Sequence, residues 1–201
     1  MFITFEGGEG SGKTTLIEKL RKTLLNQKYD VLVTREPGGS KIAEKIRSVL
    51  LDNKNEAITA HTEALLFAAS RAQHLDEVVI PNLNKIILCD RYIDSSFAYQ
   101  AYGRDLGMDY VKHINIYALS YMPDLTFYID IDPKTGIDRV KSRRKHKNDR
   151  LDLEQQTFHE KVRQGYLEVA KLYPNRIITI NGNQTIDAIY EEILNEILKR
   201  L

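Results

Sequence analysis

The octapeptide Gly7-Gly8-Glu9-Gly10-Ser11-Gly12-Lys13-Thr14 restricts the fold of this chain more than any other feature, because it stands between an apolar run at residues 1–5 and a stretch of helical spacing at 13–25. It matches G-x-x-x-x-G-K-[S/T] in the order strand, turn, helix, the context in which the pattern is informative. Glycines let backbone N–H groups turn inward and the following helix adds its positive end, so such a segment makes a concave anion site. In a loop of this kind the lysine bridges β- and γ-phosphates and the hydroxyl after it takes Mg²⁺. The expected ATP-binding set is Gly7, Gly8, Glu9, Gly10, Ser11, Gly12, Lys13, Thr14 and Thr15, with Lys13 also catalytic. The loop by itself fits a small-molecule kinase, a GTPase or a motor ATPase, but the chain carries no N-K-x-D guanine motif.

Further short runs rich in Ile, Val and Phe occur at 31–34, 85–89, 125–131 and 177–180. Stretches of helical spacing lie between them at 42–51, 62–79, 109–121, 135–143 and 155–172, and a last one covers 186–201. This alternation predicts a parallel α/β sheet with helices on both faces, and the near-continuous apolar strands suit burial on both sides. Ligands then gather at the carboxyl ends of the strands, where Glu6, Thr34 and Asp90 stand.

With 201 residues and 42% hydrophobic content, the chain is expected to form one domain around one substantial core. Lys plus Arg (29) nearly cancels Asp plus Glu (28), so no global charge excess points to nucleic acid or a membrane surface. The single Cys89 cannot close an internal disulfide, and no Cys and His cluster has zinc-site spacing. No run approaches the roughly 18 apolar residues of a membrane span, and the first residues lack a signal pattern. A soluble cytoplasmic protein is the expectation.

The segment Thr34-Arg35-Glu36-Pro37-Gly38-Gly39 follows the second strand, and Asp90-Arg91-Tyr92 follows the third. Asp90 is placed to orient Mg²⁺ through its water shell, and Arg91 to bind a phosphate with two parallel bonds. Phe67, Arg71 and His74 fall at i, i+4 and i+7 of one helix, so a ring and a guanidinium lie side by side. That pair suits stacking and edge recognition of a base, or equally a core Phe67 with a surface ion-paired Arg71; His74 is not expected to touch ligand. In Ser95-Ser96-Phe97-Ala98-Tyr99-Gln100 the polar residues either cap and line a helix or place Gln100 against a base amide. The basic run KSRRKHKNDR at 141–150 reads, on its own, as a solvated helix end.

Taken together, EGGEGSGKTT, TREPGG, LLFAASRAQH, DRYIDSSFAYQAYGR and NDRLD resemble the thymidylate kinase family in order and spacing, from residue 1 to about 173. The resemblance implies conversion of ATP and dTMP to ADP and dTDP on the route to dTTP, with Mg²⁺. It also implies a five-stranded parallel sheet of the P-loop nucleoside monophosphate kinase architecture, and a homodimer. By this resemblance Glu36, Pro37, Phe67, Arg71, Arg91, Ser96, Tyr99 and Gln100 form the thymidylate site. Phe67 lies against thymine, Arg71 and Gln100 on its polar edge, and Arg91 on the monophosphate; Glu36, Asp90 and Arg91 join the catalytic group. Arg47 resembles a second phosphate ligand, and Tyr99 the residue that crowds the sugar 2′ position.

The family divides by whether the catalytic arginine sits in the phosphate loop or in a mobile lid. The loop here has none, so the chain resembles the bacterial lid-arginine form, with the lid at about 141–152. Arg150 is the expected catalytic residue, held by Asp149 and Asp152, and Arg143 is expected to stack on adenine. Ala101 and Asp105 stand where the family pattern has glycine. The competing functions are another P-loop nucleoside or monophosphate kinase, and a nucleotide-binding regulatory ATPase. Arg91 and Arg47 favour an acceptor that already carries phosphate, and a regulator has no use for Phe67, Arg71 and Gln100.

Overall fold

All five apolar runs become strands in the computed structural model, which describes residues 1–143 and 149–201, with backbone alone for 140–143. The strands are β1 (Phe2–Glu6), β2 (Val31–Arg35), β3 (Ile86–Asp90), β4 (Leu125–Asp130) and β5 (Ile177–Asn181). Every pairing is parallel and the order across the sheet is β2-β3-β1-β4-β5, so β1 lies at the centre with β3 and β4 beside it. Successive side chains of β1 point to opposite faces. Ile3 and Phe5 pack under helices α1 (Lys13–Asn26) and α9 (Ile186–Leu198) with Leu16, Leu20, Ile193 and Ile197. Phe2 joins Ile87, Cys89 and Tyr128 on the other face, under Tyr92, Phe97, Val162 and Tyr166. The two cores thus share one sheet, and they leave its carboxyl edge open.

The helices depart from expectation where side chains intervene. α2 (Lys41–Leu51) and α7 (Pro133–Arg143) fall close to their expected positions. Helix α3 (Ala60–His74) starts two residues early because Thr59 caps it, its Oγ1 accepting from the Thr62 N–H, and a π-helical turn carries it on to Val79. The stretch expected at 109–121 breaks into α5 (Met108–Ile114) and α6 (Ile116–Leu119) at Asn115, whose amide is claimed by Arg71 and by the Val111 carbonyl. The segment after β3 forms a helix, α4 (Ile93–Ser96), continued as a π-helix through Phe97–Gly103. Helix α8 (Gln156–Leu172) packs along it. In α9 the expected stripe is buried at Ile189, Ile193 and Ile197, but Leu201 lies beyond the helix and is exposed.

Candidate active site

The ends of three strands, β1, β2 and β3, converge on one cavity of about 550 Å³. The loop after β1 forms its floor. Gly7, Gly10 and Gly12 take positive φ, which lets the chain turn its amides inward before α1 begins. The loop is packed tightly from outside: a Cβ on Gly10 would lie 2.2 Å from the Gly136 carbonyl oxygen on α7, and one on Gly136 would lie 2.2 Å from the Glu9 oxygen. Lys13 folds back over the loop, its ammonium donating to the carbonyls of Gly7 (3.0 Å) and Gly8 (3.2 Å) and to Ser11 Oγ (3.2 Å). Burial, and then the positive charge of Arg91, push the Lys13 pKa down.

Thr14 Oγ1 donates to Asp90 Oδ2 at 3.3 Å across the mouth of the loop. One hydroxyl and one carboxylate side by side form a hard-oxygen pair that fits Mg²⁺, an ion that keeps several waters and takes its other ligands from phosphates. Among the described residues no group of three His, Cys, Asp or Glu forms a protein cage for a metal.

The acceptor side is built from β2, β3, α3 and the helix after β3. Arg91 stands at φ 69°, and its guanidinium donates to Glu9 Oε1 at 2.7 Å and to the Tyr166 hydroxyl at 3.1 Å, over the Tyr99 ring. Arg47 donates to the Pro37 carbonyl at 2.8 Å. Both arginines line the cavity with Glu36, Pro37, Phe67, Ser96, Tyr99 and Gln100. Phe67 is half-buried at the wall and is not a core residue.

Arg71 departs from the surface expectation. It is buried rather than at the surface, it does not line the cavity, and all of its nitrogens are engaged. Nε donates to Glu36 Oε2 (2.8 Å), Nη1 to Ser96 Oγ (2.9 Å) and to Asn115, and Nη2 to the Tyr92 carbonyl (3.1 Å). The other Glu36 oxygen faces His74 Nδ1 at 2.9 Å, and His74 Nε2 meets Thr34 Oγ1, so both ring nitrogens of the buried His74 are engaged by protein groups.

Arg150 is also corrected. Its partner is Glu63, at 2.7 Å, with a second bond from Nε to the Leu50 carbonyl; neither Asp149 nor Asp152 holds its guanidinium. Asp149 instead accepts from the Leu151 and Asp152 amides, and burial with the neighbouring Asp152 charge pushes its carboxyl up. Arg150 stays out of the cavity, whereas Arg139 lines it. The side chain of Arg143, and residues 144–148 of the expected lid, lie outside the described residues.

Several cavity or supporting residues had no motif to reveal them. Glu6 is fully buried and accepts from the Tyr92 amide, Ser95 Oγ and the Tyr166 hydroxyl. Burial first, and then the Asp94 charge, push its carboxyl up to about 7 against the opposing pull of Ser95, Arg91 and Tyr166. His159 lines the cavity with its Nε2 buried and without a hydrogen-bond partner among the described residues. For Glu6 the signal was its place at a strand end, and for Gly136 a glycine inside a helical stretch.

Donor-side amides and acceptor-side arginines open on one shared space, the arrangement of a P-loop phosphotransferase. The Thymidylate kinase family model matches residues 5–193. Thymidylate kinase of Acholeplasma laidlawii is 76% identical over the full length of both chains. That of Clostridium novyi is 51% identical, covering 96% of this chain and 95% of its own. The crystal structure of thymidylate kinase from Ehrlichia chaffeensis superposes with a TM-score of 0.78 at 33% identity, covering 98% of each chain. This chain belongs to the thymidylate kinase family.

Proposed function

We propose that the thymidylate kinase activity of this chain, dTMP to dTDP with ATP as donor, runs inside the single cavity between the phosphate loop and the wall of α3 and α4. The observation that carries this reading is that Gly10 to Thr15 and Phe67, Ser96, Tyr99 and Gln100 line the same space. Donor and acceptor are both anionic, so the reaction needs cations between them. Lys13 serves the donor phosphates, Arg91 and Arg47 the acceptor monophosphate, and Phe67 with Gln100 the thymine. Arg71 acts from behind the wall, fixing Glu36 and Ser96. Mg²⁺, held by Thr14 directly and Asp90 through water, neutralises the phosphate oxygens when bound.

The lid-arginine form follows from the absence of arginine in the loop. Arg150 reaches the transferring phosphoryl only if Glu63 releases it, and Arg139, already at the cavity, is the competing cation. A homodimer is supported by exposed Leu65, Ile116 and Tyr117 on the neighbouring helices α3 and α6. A cytoplasmic setting belongs to the same reading, as the place where ATP and dTMP meet.

The test is a coupled ADP-release assay with ATP against a panel of nucleosides and nucleoside monophosphates. The expected result is dTMP as best acceptor and thymidine inactive. Efficient thymidine phosphorylation without response to dTMP would overturn the acceptor site.

A further inference from the structure

Glu63 sits in the first turn of α3, where an acidic residue ordinarily faces solvent and complements the helix dipole. Here it is fully buried, and three residues from elsewhere converge on it. Gln100 Nε2 donates to Oε1 at 3.0 Å. Arg104 donates through Nε at 3.2 Å to Oε1 and through Nη2 at 2.9 Å to Oε2, and Arg150 donates to Oε2 at 2.7 Å.

An amide side chain can turn either end toward a neighbour, and the bonding network decides which. An ionised carboxylate only accepts, so Gln100 must offer it the NH₂ end. Although burial opposes it, the bonds and charge of Arg104, together with the bond from Arg150, hold the Glu63 carboxyl below the usual carboxylate range, so it is ionised at neutral pH. The Gln100 carbonyl is then the end left for the cavity that this side chain lines, and it accepts no hydrogen bond from any described residue.

We infer that Glu63 is the positioning residue that sets which pyrimidine this site accepts, by locking Gln100 with its carbonyl toward the acceptor base. This rests on the proposed reading that Gln100 faces that base. A carbonyl there matches a ring N–H, which thymine and uracil carry at N3 between two carbonyls. It repels the N3 lone pair of cytosine. The lock therefore excludes dCMP and is indifferent to the 5-methyl group. Through Arg104, which also bonds Glu154, and through Arg150, the same carboxylate fastens the segment at 150–154 to the wall that reads the base.

The test compares kcat/KM for dTMP, dUMP and dCMP in the native enzyme, Glu63→Gln, Gln100→Ala and the double variant, with the Ki of dCMP where its turnover is too slow. A neutral amide at 63 can face Gln100 with either end and frees it to turn. Glu63→Gln is expected to lower the dTMP to dCMP ratio by about tenfold or more, since a site built around one polar edge owes its selectivity to that pairing. The dTMP to dUMP ratio should not move, and Glu63→Gln should change the dCMP ratio no further once Gln100 is alanine. A general loosening of the fold lowers all three substrates together and leaves the ratios alone. If Gln100→Ala lowers the dCMP ratio but Glu63→Gln does not, the lock is refuted and the base site stands. If Gln100→Ala itself leaves the ratio unchanged, the base site fails and the lock with it. Should Glu63→Gln not fold, Glu63→Asp keeps the buried charge and draws the oxygen back from Gln100, and the same fall is required of it.

Discussion

Glu6→Gln isolates one buried proton. In the folded chain the Glu6 carboxyl is pushed up to about 7 from the ordinary 4.5, chiefly by burial. Between those values the folded state binds more protons than the unfolded one, so stability falls as pH rises. The contribution is fully present below 4.5 and lost once pH passes 7. A gap of about 2.5 pKa units corresponds to about 3 kcal/mol. Unfolding entropy of about 2.1 cal/mol/K per residue gives about 0.4 kcal/mol/K for a chain of 201 residues, so this equals about 7 °C in Tm.

Glutamine keeps a carbonyl for the Tyr92 amide and hydroxyl partners for its NH₂, but it does not titrate. Differential scanning calorimetry of both proteins from pH 4.5 to 8 should show the native Tm falling by about 7 °C relative to the variant. His159, held low by burial, destabilises on acidification, and it does so in both proteins and cancels in the difference. A Tm difference independent of pH would mean that Glu6 is ionised in the fold throughout, and would refute the reasoning.

Two further perturbations address transfer itself. Lys13→Ala should lower kcat by about 10² to 10³ or more with an unchanged circular dichroism spectrum; loss of folded signal in step with activity would show that the bonds to Gly7, Gly8 and Ser11 are its main role. Arg150→Ala, compared with Arg139→Ala, should lower kcat by about 10³ at a nearly constant KM for dTMP, the signature of a cation met only in the transition state. Near-normal kcat with a lowered Tm would assign Arg150 wholly to Glu63 and pass the catalytic role to Arg139.

The strands were legible because each is a short apolar run with both faces covered, and the phosphate loop because its spacing carries a mechanism. The order of the strands was not legible, since no local pattern says that β1 sits between β3 and β4. The helix from Ile93 to Gly103 was ambiguous because its Ser, Tyr and Gln residues suit a cavity wall and a loop alike. Arg150 was misplaced for a related reason. Its sequence neighbours are aspartates, whereas its partner Glu63 is 87 residues away, and a carboxylate in a first helical turn reads as solvated until Arg104 and Arg150 arrive from distant segments. Arg71 was open to a surface reading on the same grounds, its partners Glu36, Ser96 and Asn115 lying on three separate segments.

The meeting of Gly10 and Gly136 gives the phosphate loop a hard stop. With no side chain on either, backbone rests on backbone, and a Cβ added at either position would lie 2.2 Å from a backbone oxygen of the other segment, which leaves no room even for a methyl group. Nothing compressible lies between the loop and the first turn of α7. A side chain at either position would therefore have to push the loop and the first turn of α7 apart, so this pair of glycines is what keeps α7 in backbone contact with the loop after β1.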